Sequence, residues 1–482
     1  MIYKTGGVAA KQKGYDLMKT GKRISAALMA AILSIGALCS CGTPKDDGRV
    51  KLEVGDWVKK TATDEDKKIW ADKLERFKKQ YPDIDVIEGN TYQYDVKTFN
   101  ARAAAGQLPT FLEIVYTEIP IIRSGGYAAD ITKALKDNDL LDKINPEMLA
   151  IITDEDGKIC GLPKYAYAQG LVINKKLFKE AGLVDESGKP KVPQTWEELG
   201  EYSKIIREKT GTAGFVMPTT DNCGGWIFMN MAWSYGTNFE ELQKDGKWKA
   251  VFDSPECREA LKYVYDLRWK YNALPDDKVL NYEGYIKTFG SGQAAMTIAD
   301  PGQVTPFVQK YGMDKDDIYF AKLPAGPKGR YVQMGGGIKA FFSKNTDEQN
   351  DAGVKWLMMD GVTPYITPDV EQNIRNTCQQ TIDNGGVVFP KELFSMWQSD
   401  ERDEKIEQIY ADYANVDMSN YEEYMDFTGV ILRPEETACC QQLYSVLDGA
   451  IQEILTNQNA DIDALVKTAV SDFQQNHLDK ME

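Results

Sequence analysis

The spacing of hydrophobic residues alternates between two patterns along most of the chain. Apolar and charged residues take turns over residues 50–54, which predicts a strand with one buried face, and apolar residues at helical spacing over residues 70–81 predict a helix that Pro82 ends. Further strands are predicted at residues 85–87, 111–116, 170–174, 214–217, 294–298 and 337–342. Helices are predicted between them, ending at residue 106, covering residues 176–181, and beginning at residues 195, 254, 347, 437 and 461. This order predicts an α/β fold.

Two of the helix starts carry cap signals. Thr195 and Glu198 have the spacing of a capping box, in which the hydroxyl and the carboxylate each accept a hydrogen bond from the other residue's backbone N–H, and Gly211 follows the last turn. Ser254 precedes Pro255, so a serine cap and a proline at the first helical position mark the second start.

The segment before this α/β region has the composition of an export signal. Residues 24–38 form an apolar run of 15 residues behind a basic stretch, and this is shorter than the ~20 residues that a membrane-spanning helix needs. Leu38 and small residues precede Cys41 and resemble the bacterial lipobox. We therefore predict a lipoprotein signal peptide at residues 1–40, a palmitate-type lipid anchor on Cys41 and a polar tether at residues 41–49, with an ordinary secretory signal as the alternative and Met18 as a second candidate start.

Charge and length narrow the class of protein. Without residues 1–40, 51 basic and 72 acidic residues remain, a net charge of −21. So acidic a chain argues against a nucleic-acid partner, which requires clustered Lys and Arg. The 442 residues that remain exceed the ~250–300 at which a single core stops growing, so at least two lobes are expected.

The chain has few of the residue patterns that catalysis or metal binding requires. His477 is the only histidine, which removes most histidine-based chemistry such as triads and zinc sites, and the acidic run at residues 154–157 lacks the spacing of a calcium loop. The six cysteines after Cys41 are irregularly spaced, and their redox state stays open. We expect no enzyme activity, no cofactor and no metal site; a secreted glycan hydrolase that uses paired carboxylates is the alternative.

Two glycine-rich segments need explanations other than nucleotide binding. Residues 290–295 match part of a dinucleotide fingerprint, but a predicted strand rather than a helix follows them. Gly335, Gly336 and Gly337 lack the Lys and Ser/Thr of a phosphate loop. We expect them to allow close approach of the backbone, either to a ligand or to a neighbouring strand.

Aromatic residues are concentrated where predicted strands end. A sugar ring packs its apolar face on a flat aromatic side chain, and ligands of α/β sheets gather at the carboxyl ends of strands. Trp226 follows two glycines at a helix start, where a core position is less expected, whereas Trp70 and Trp233 are expected in the core. The candidate aromatic ligand-binding residues are Trp57, Tyr92, Tyr116, Tyr165, Tyr167 and Trp226.

Seven sequence blocks resemble those of the extracellular solute-binding protein family 1, the sugar-binding lipoproteins of ABC transporters that are of the maltose-binding-protein type. Their order along the chain is also that of the family, and together they cover nearly all of the chain after Cys41. The blocks are residues 103–109 (AAAGQLP), 157–163 (GKICGLP), 174–183 (NKKLFKEAGL), 193–199 (PQTWEEL), 252–256 (FDSPE), 291–296 (SGQAAM) and 323–329 (LPAGPKG).

The resemblance implies a two-lobed periplasmic-binding-protein fold of type II. Each lobe is then a sheet flanked by helices, and a ligand cleft lies between the lobes. The expected boundaries are residues 50–163 with 300–360 for lobe 1 and residues 164–299 with 361–482 for lobe 2, and the first crossing between lobes is expected at residues 161–169.

The resemblance also implies site residues. Trp226 matches the stacking aromatic of the family, whereas Asp300-Pro301-Gly302 stands where many relatives have a tryptophan, which argues against a maltose-type ligand. The further ligand-binding residues expected are Glu118, Asp300, Gln333, Met334, Gly336 and Arg433.

The function that follows is solute capture outside the cytoplasm. We expect a monomeric protein, lipid-anchored at the bacterial cell surface on the outer face of the cytoplasmic membrane, that binds an oligosaccharide by hinge closure and delivers it to an ABC transporter permease. A non-sugar solute, such as a peptide or a polyamine, is the alternative ligand. The sugar, its length and its linkage stay open.

Overall fold

The structure is a computed structural model that describes residues 48–481 apart from positions 56, 59, 61, 90–97 and 391–393. The chain divides into the unit Met1–Arg49 and the compact unit Val50–Glu482. The predicted signal peptide, the predicted lipidation site Cys41 and the candidate residue Tyr92 lie outside the described residues.

Helices and strands alternate through Val50–Glu482, as the hydrophobic pattern predicts. The strands are β1 Val50–Val54, β2 Ile84–Glu88, β3 Phe111–Val115, β4 Gly161–Ala168, β5 Gly170–Asn174, β6 Glu240–Leu242, β7 Trp248–Ala250, β8 Met296–Ala299, β9 Ile318–Ala321, β10 Arg330–Phe341 and β11 Val430–Pro434. The helices are α1 Asp64–Gln80, α2 Phe99–Ala105, α3 Ile119–Ser124, α4 Thr132–Asp137, α5 Pro146–Ile152, α6 Lys175–Ala181, α7 Trp196–Thr210, α8 Cys223–Tyr235, α9 Pro255–Trp269, α10 Tyr282–Gly290, α11 Asp347–Met359, α12 Pro368–Asp383, α13 Asp400–Tyr413, α14 Glu422–Met425, α15 Cys440–Thr456 and α16 Ile462–Asn476.

The two predicted helix caps are present, and one differs in detail. Ser254 accepts a hydrogen bond from the backbone N–H of Cys257 at the start of α9. Thr195 caps α7 by accepting from the N–H of Glu198 at 3.2 Å. The Glu198 carboxylate accepts from the N–H of Gln194 at 2.6 Å instead of from Thr195, so the predicted capping box is shifted by one residue on this side.

The first sheet has the strand order β11-β10-β3-β1-β2, and β4 pairs with β10 on the edge opposite β3. Strands β1, β2 and β3 pair in parallel, whereas β10 runs antiparallel to both β3 and β4. Leu52, Phe111, Ile338 and Phe341 belong to one core beneath this sheet, which is the core of the first lobe.

The second sheet has the order β8-β5-β9, and all its pairs are antiparallel. Strand β5 is buried along its whole length, and its side chains alternate between two cores. Leu171 and Ile173 lie in one core, while Val172 lies in another on the opposite face. This sandwich of a sheet between two apolar layers forms the second lobe.

Strand β10 joins the two lobes. It has 12 residues and spans roughly 40 Å at ~3.3 Å per residue. Residues 330–334 pair with β11 of the second lobe, and residues 337–341 pair with β3 of the first. The hydrophobic pattern predicts only residues 337–342 as a strand, because glycines occupy residues 335–337 where the apolar run begins.

The buried cores correct the predicted lobe boundaries. Phe307 and Phe320 pack in the second lobe, although residues 300–360 were expected in lobe 1. Met396 and Trp397 pack in the first lobe, although residues 361–482 were expected in lobe 2. Both cores use the same apolar residue types, so a hydrophobic pattern shows that a segment is buried but not in which lobe.

Other differences concern single elements. Residues 214–217 make one isolated bridge to β8, from Val216 to Thr297, so the strand predicted there is wrong, and the helix predicted from residue 437 begins at Cys440. The six described cysteines are all free thiols. Within the described part of the chain, every helix is too short or too polar to cross a membrane.

Candidate functional site

Strands β4 and β10 form a two-stranded ribbon between the lobes, and its two faces differ. Directly paired residues of an antiparallel ladder point to the same face. Tyr165 pairs with Gly337 and Tyr167 with Gly335, so both tyrosines lie on one face, as predicted for this crossing. Ala166 lies between them along the strand and faces the other way.

The three glycines of β10 make room for tyrosine rings. A Cβ atom at Gly335 would stand 2.3 Å from Tyr167 Oη, and one at Gly337 would stand 2.9 Å from the Tyr165 ring. On the opposite face, a Cβ at Gly336 would stand 2.3 Å from the Tyr116 ring. Close approach to neighbouring segments, one of the two predicted roles, therefore accounts for this glycine run.

The face that carries Tyr165 and Tyr167 is an aromatic surface. Their rings stack with centroids 6.4 Å apart, and Trp226 stands edge-on to Tyr167 at 6.4 Å. The Trp226 side chain also lies close enough to the Tyr167 phenol to oppose the rise in its pKa that burial causes. Tyr282 at the start of α10 lies in electrostatic range of Tyr165, and these two rings are 43 % and 38 % exposed, so they are open to a ligand. We call the space that these four rings line the aromatic cleft.

Asp300 borders the aromatic cleft from the second lobe. It follows β8 and caps the short turn Pro301–Gln303 by accepting from the N–H of Gly302 at 2.8 Å. Burial raises the pKa of Asp300 from 3.8 to about 6. Its carboxyl is in electrostatic range of Tyr165, Tyr167 and Tyr282.

Glu435 is the second carboxyl at the cleft and follows β11. Its Oε1 accepts a hydrogen bond from Tyr444 Oη at 2.8 Å and a longer one from Gln333 Nε2 at 3.4 Å. Burial raises the pKa of Glu435 from 4.5 to about 7, and the nearby Glu118 carboxylate adds to this shift. Glu435 also lies in electrostatic range of Tyr165 and Tyr167.

Behind Glu435 lies a buried polar network that joins both crossings of the hinge. Gln333 is fully buried, and its Nε2 donates to Tyr444 Oη at 2.6 Å. Its backbone N–H donates to Asn230 Oδ1 at 2.8 Å, while Asn230 Nδ2 donates to Gln169 at the end of β4. Gln333 therefore positions Glu435 from behind.

Flat rings and hydrogen-bond acceptors at a hinge between two lobes suit the binding of a polar solute with apolar faces. The described residues hold no cluster of His, Cys, Asp and Glu that could coordinate a metal ion. Residues 60–358 match the family described as bacterial extracellular solute-binding protein.

This chain belongs to that family. The match covers more than half of its length and includes both lobes. The family membership predicted from the seven sequence blocks is thereby confirmed.

Two curated relatives differ in the solute that they are named for. An arabinooligosaccharide-binding protein of Halalkalibacterium halodurans is 22 % identical over 291 residues, which are 58 % of this chain and 62 % of the relative. An sn-glycerol-3-phosphate-binding periplasmic protein of Brucella abortus is 26 % identical over 270 residues, 50 % of this chain and 55 % of the relative. The chain thus spans less than two thirds of the length of these relatives.

Solved structures of the family share the fold. The crystal structure of the cyclic alpha-maltosyl-1,6-maltose binding protein from Arthrobacter globiformis superposes with a TM-score of 0.60 at 21 % identity, over 88 % of this chain and 98 % of that one. This confirms the predicted type II periplasmic-binding-protein fold.

The remaining predicted site residues of this solute-binding protein lie outside the aromatic cleft. Tyr116 lies on the opposite face of the ribbon, where its Oη donates to the Tyr165 carbonyl at 3.0 Å. With Ala166 and Met334, it lines a cavity of about 510 Å3 that Glu435 also borders. We call this space the rear cavity.

Two other candidates are engaged in packing or ion pairs. Trp57 stands edge-on to Trp70 at 5.2 Å and packs against the core of the first lobe. Arg433 pairs with Glu436 at 2.9 Å and lies over the ring of Trp233, which is buried as predicted. Gly336 lies against Tyr116 on the opposite face of the ribbon, and Glu118 is buried in electrostatic range of Glu435.

Sequence reasoning missed Tyr282 and Glu435. Tyr282 is an exposed aromatic at the first position of α10 behind the cap Asn281, a signal that the sequence does contain. Glu435 follows a short strand that the pattern did not predict, so its position at a strand end was not visible. Both residues reach the cleft from segments far from Tyr165 along the chain.

Proposed function

We propose that this protein is the solute-binding component of an ABC importer and that it captures a carbohydrate in the aromatic cleft. The observation that carries the proposal is the convergence of Tyr165, Tyr167, Trp226 and Tyr282 beside the carboxyls of Asp300 and Glu435. The rings supply faces for the apolar side of a sugar, and the carboxyls accept hydrogen bonds from its hydroxyls.

Capture proceeds by closure of the two lobes. Among the described residues, the segments that pass between the lobes are β4, β10 and those near residues 384–390, 394–397 and 414–418, so rotation about the ribbon changes the width of the cleft. A solute that contacts both lobes favours the closed state by the difference between its affinities for the two states. Gln441 of the second lobe already donates to Thr117 of the first at 3.0 Å, which is a contact that opening would break.

In this proposal the protein acts at the cell surface, and it binds its solute without catalysing a reaction. The predicted lipid on Cys41 holds a monomer at the outer face of the cytoplasmic membrane, and the closed form delivers its solute to the permease. Support comes from the leader pattern before Cys41 and from membership in a family of extracellular binding proteins.

A phosphate ester is a poorer ligand for this cleft, even though one relative is named for glycerol 3-phosphate. Asp300 and Glu435 offer the phosphate no positive charge, and no lysine or arginine among the described residues contributes to the pKa shift of either carboxyl. An anionic solute would need the opposite charge at these positions.

Thermal unfolding of the full chain against a panel of oligosaccharides, spermidine and a tripeptide tests the proposal. A ligand at 100 times its dissociation constant stabilises the folded state by about 2.7 kcal/mol, so a bound sugar raises the melting temperature. A response to spermidine or the peptide with no response to any sugar would contradict the carbohydrate assignment. Chromatography of the sugar after long incubation separates binding from hydrolysis, because an enzyme would consume it.

A further inference from the structure

The helix that carries Trp226 begins from a turn with a costly backbone. Helix α8 starts at Cys223, and the two residues before it, Asp221 and Asn222, have φ angles of +55° and +69°. A residue with a side chain adopts this left-handed conformation at a cost in energy, and among the described residues no other adjacent pair does so. The N-cap Asn222 makes no side-chain hydrogen bond to the start of the helix. The turn therefore depends on support from elsewhere in the fold.

Asp448 of helix α15 supplies that support. Its Oδ2 accepts a hydrogen bond from the backbone N–H of Asn222 at 2.8 Å, and its Oδ1 accepts from the N–H of Gly225 at 2.7 Å. The free N–H groups at a helix start favour a negative charge. Because Asp448 is only 5 % exposed, these two bonds tie the start of α8 firmly to α15. Asp448 thus acts as the cap that α8 lacks within its own segment.

Two glycines allow α8 to approach α15 this closely. A Cβ atom at Gly224 would stand 2.7 Å from Asp448 Oδ1. A Cβ atom at Gly225 would stand 2.5 Å from the Cα of Tyr444 on α15. Glycine is otherwise unfavourable inside a helix, so the close contact accounts for the pair. The glycines directly precede Trp226, and the position of that ring therefore follows from the contact between α8 and α15.

Gln441, two turns before Asp448 on α15, joins the same turn to the first lobe. Its Oε1 accepts from Asn222 Nδ2 at 3.2 Å, and its Nε2 donates to Thr117 Oγ1 at 3.0 Å. Thr117 is buried and lies two residues beyond the end of β3. Rotation of the lobes moves Thr117 relative to α15, so this chain of hydrogen bonds transmits the rotation to the turn before Trp226.

We propose that Asp448 and Gln441 are positioning residues of the aromatic cleft, which act on the solute through Trp226. Asp448 holds the turn before α8 in its left-handed conformation, and Gln441 ties this turn to the first lobe. Closure of the lobes then sets the Trp226 ring at the same time as it narrows the cleft. The inference rests on the proposed function for its role in solute capture, whereas the placement of Trp226 can be tested without a solute.

Fluorine NMR of the full chain, labelled with 5-fluorotryptophan, tests the placement. The chain has nine tryptophans, and Trp226→Phe identifies the resonance of Trp226. Asp448→Asn replaces one acceptor oxygen by an amide nitrogen that cannot accept, so the Trp226 resonance should shift or split. The buried Trp233 of the same helix should keep its resonance, which shows that the variant is folded, and the exposed control Asp472→Asn on α16 should change neither. An unchanged Trp226 resonance in folded Asp448→Asn would overturn the inference.

Variants of the link to the first lobe test the second positioning residue. Gln441→Ala removes the bridge, and Thr117→Val removes the hydroxyl at its far end while it keeps the shape of the side chain. Both should shift the Trp226 resonance, because both break the same connection. Gln379→Ala, an exposed control on α12, should leave it in place. If neither Gln441→Ala nor Thr117→Val shifts the resonance, Gln441 does not position Trp226.

Titration calorimetry extends the test to binding, with the panel saccharide of largest thermal shift as the probe. Asp448→Asn should weaken its binding about tenfold in the natural chain but less than about twofold in the Trp226→Ala background, because the ring through which Asp448 acts is gone. An equal loss in both backgrounds overturns the inference and leaves carbohydrate capture intact. A shifted Trp226 resonance without binding of any saccharide supports the positioning and overturns the proposed carbohydrate function alone.

Discussion

Replacing Gly336 by alanine should strain the hinge ribbon directly. The added Cβ would stand 2.3 Å from the Tyr116 ring and 2.3 Å from the backbone carbonyl oxygen of Tyr165, whereas such atoms normally keep about 3.5 Å or more. The ring can rotate, but the carbonyl belongs to β4, so the two strands must separate by about an ångström. Overpacking of this kind costs about 1–3 kcal/mol of unfolding free energy.

Urea unfolding followed by tryptophan fluorescence measures this loss. Gly449→Ala is the matched control, because no atom lies within 4 Å of its added Cβ on helix α15, and alanine there should gain ~0.5–1 kcal/mol. Gly335→Ala should differ from Gly336→Ala, since its nearest obstacles all belong to the Tyr167 ring. Adding Tyr167→Ala should therefore relieve Gly335→Ala, with a coupling of about 1 kcal/mol or more. This account of the glycine run would be refuted if Gly336→Ala unfolded with the same free energy as the natural chain, or if the double variant showed no coupling between residues 335 and 167.

Three further predictions concern the rings, a buried acid and the anchor. Trp226→Ala should weaken sugar affinity about tenfold, as measured by titration calorimetry. It should also cost less stability than Trp233→Ala, because the Trp233 ring is 1 % exposed and its removal should cost ~3–5 kcal/mol. Equal losses of stability would show that Trp226 is a core residue. Burial raises the pKa of Glu240 from 4.5 to about 8, so the folded chain keeps a proton that the unfolded chain releases, and this group makes stability fall as pH rises across that range. Urea unfolding at both ends of the range should show a smaller fall for Glu240→Gln, and parallel profiles would contradict the shift. Cys41→Ala should move the protein from the membrane fraction to the medium on an immunoblot, and an unchanged distribution would contradict the lipid anchor.

Local structure was predictable where a local cause acts. The caps at Thr195 and Ser254 start their helices as expected, because a side chain and a backbone N–H a few residues away decide them. Residues 214–217 failed to form a strand although they are apolar, since strand pairing depends on a partner that the pattern does not contain. The lobe boundary predicted at residue 300 is wrong for a related reason, because the apolar residues of a segment do not show which of the two cores it joins.

The candidate site was predictable in part for a geometric reason. Alternation along β4 places Tyr165 and Tyr167 on one face, and the structure brings Trp226 and Asp300 to the same face. Tyr116 ends its strand next to the ribbon but lies against Gly336, so it faces the rear cavity. Which face of the ribbon a distant residue reaches depends on the tertiary fold, so the spacing of residues within one segment cannot predict it.

A crystal structure of the full chain with the saccharide that gives the largest thermal shift tests the central claim most directly. Our account predicts density for a sugar ring in the aromatic cleft, packed against Trp226 and Tyr165, with its polar groups at Asp300 and Glu435. A saccharide bound in the rear cavity beside Tyr116 and Met334, with the aromatic cleft empty, would contradict it.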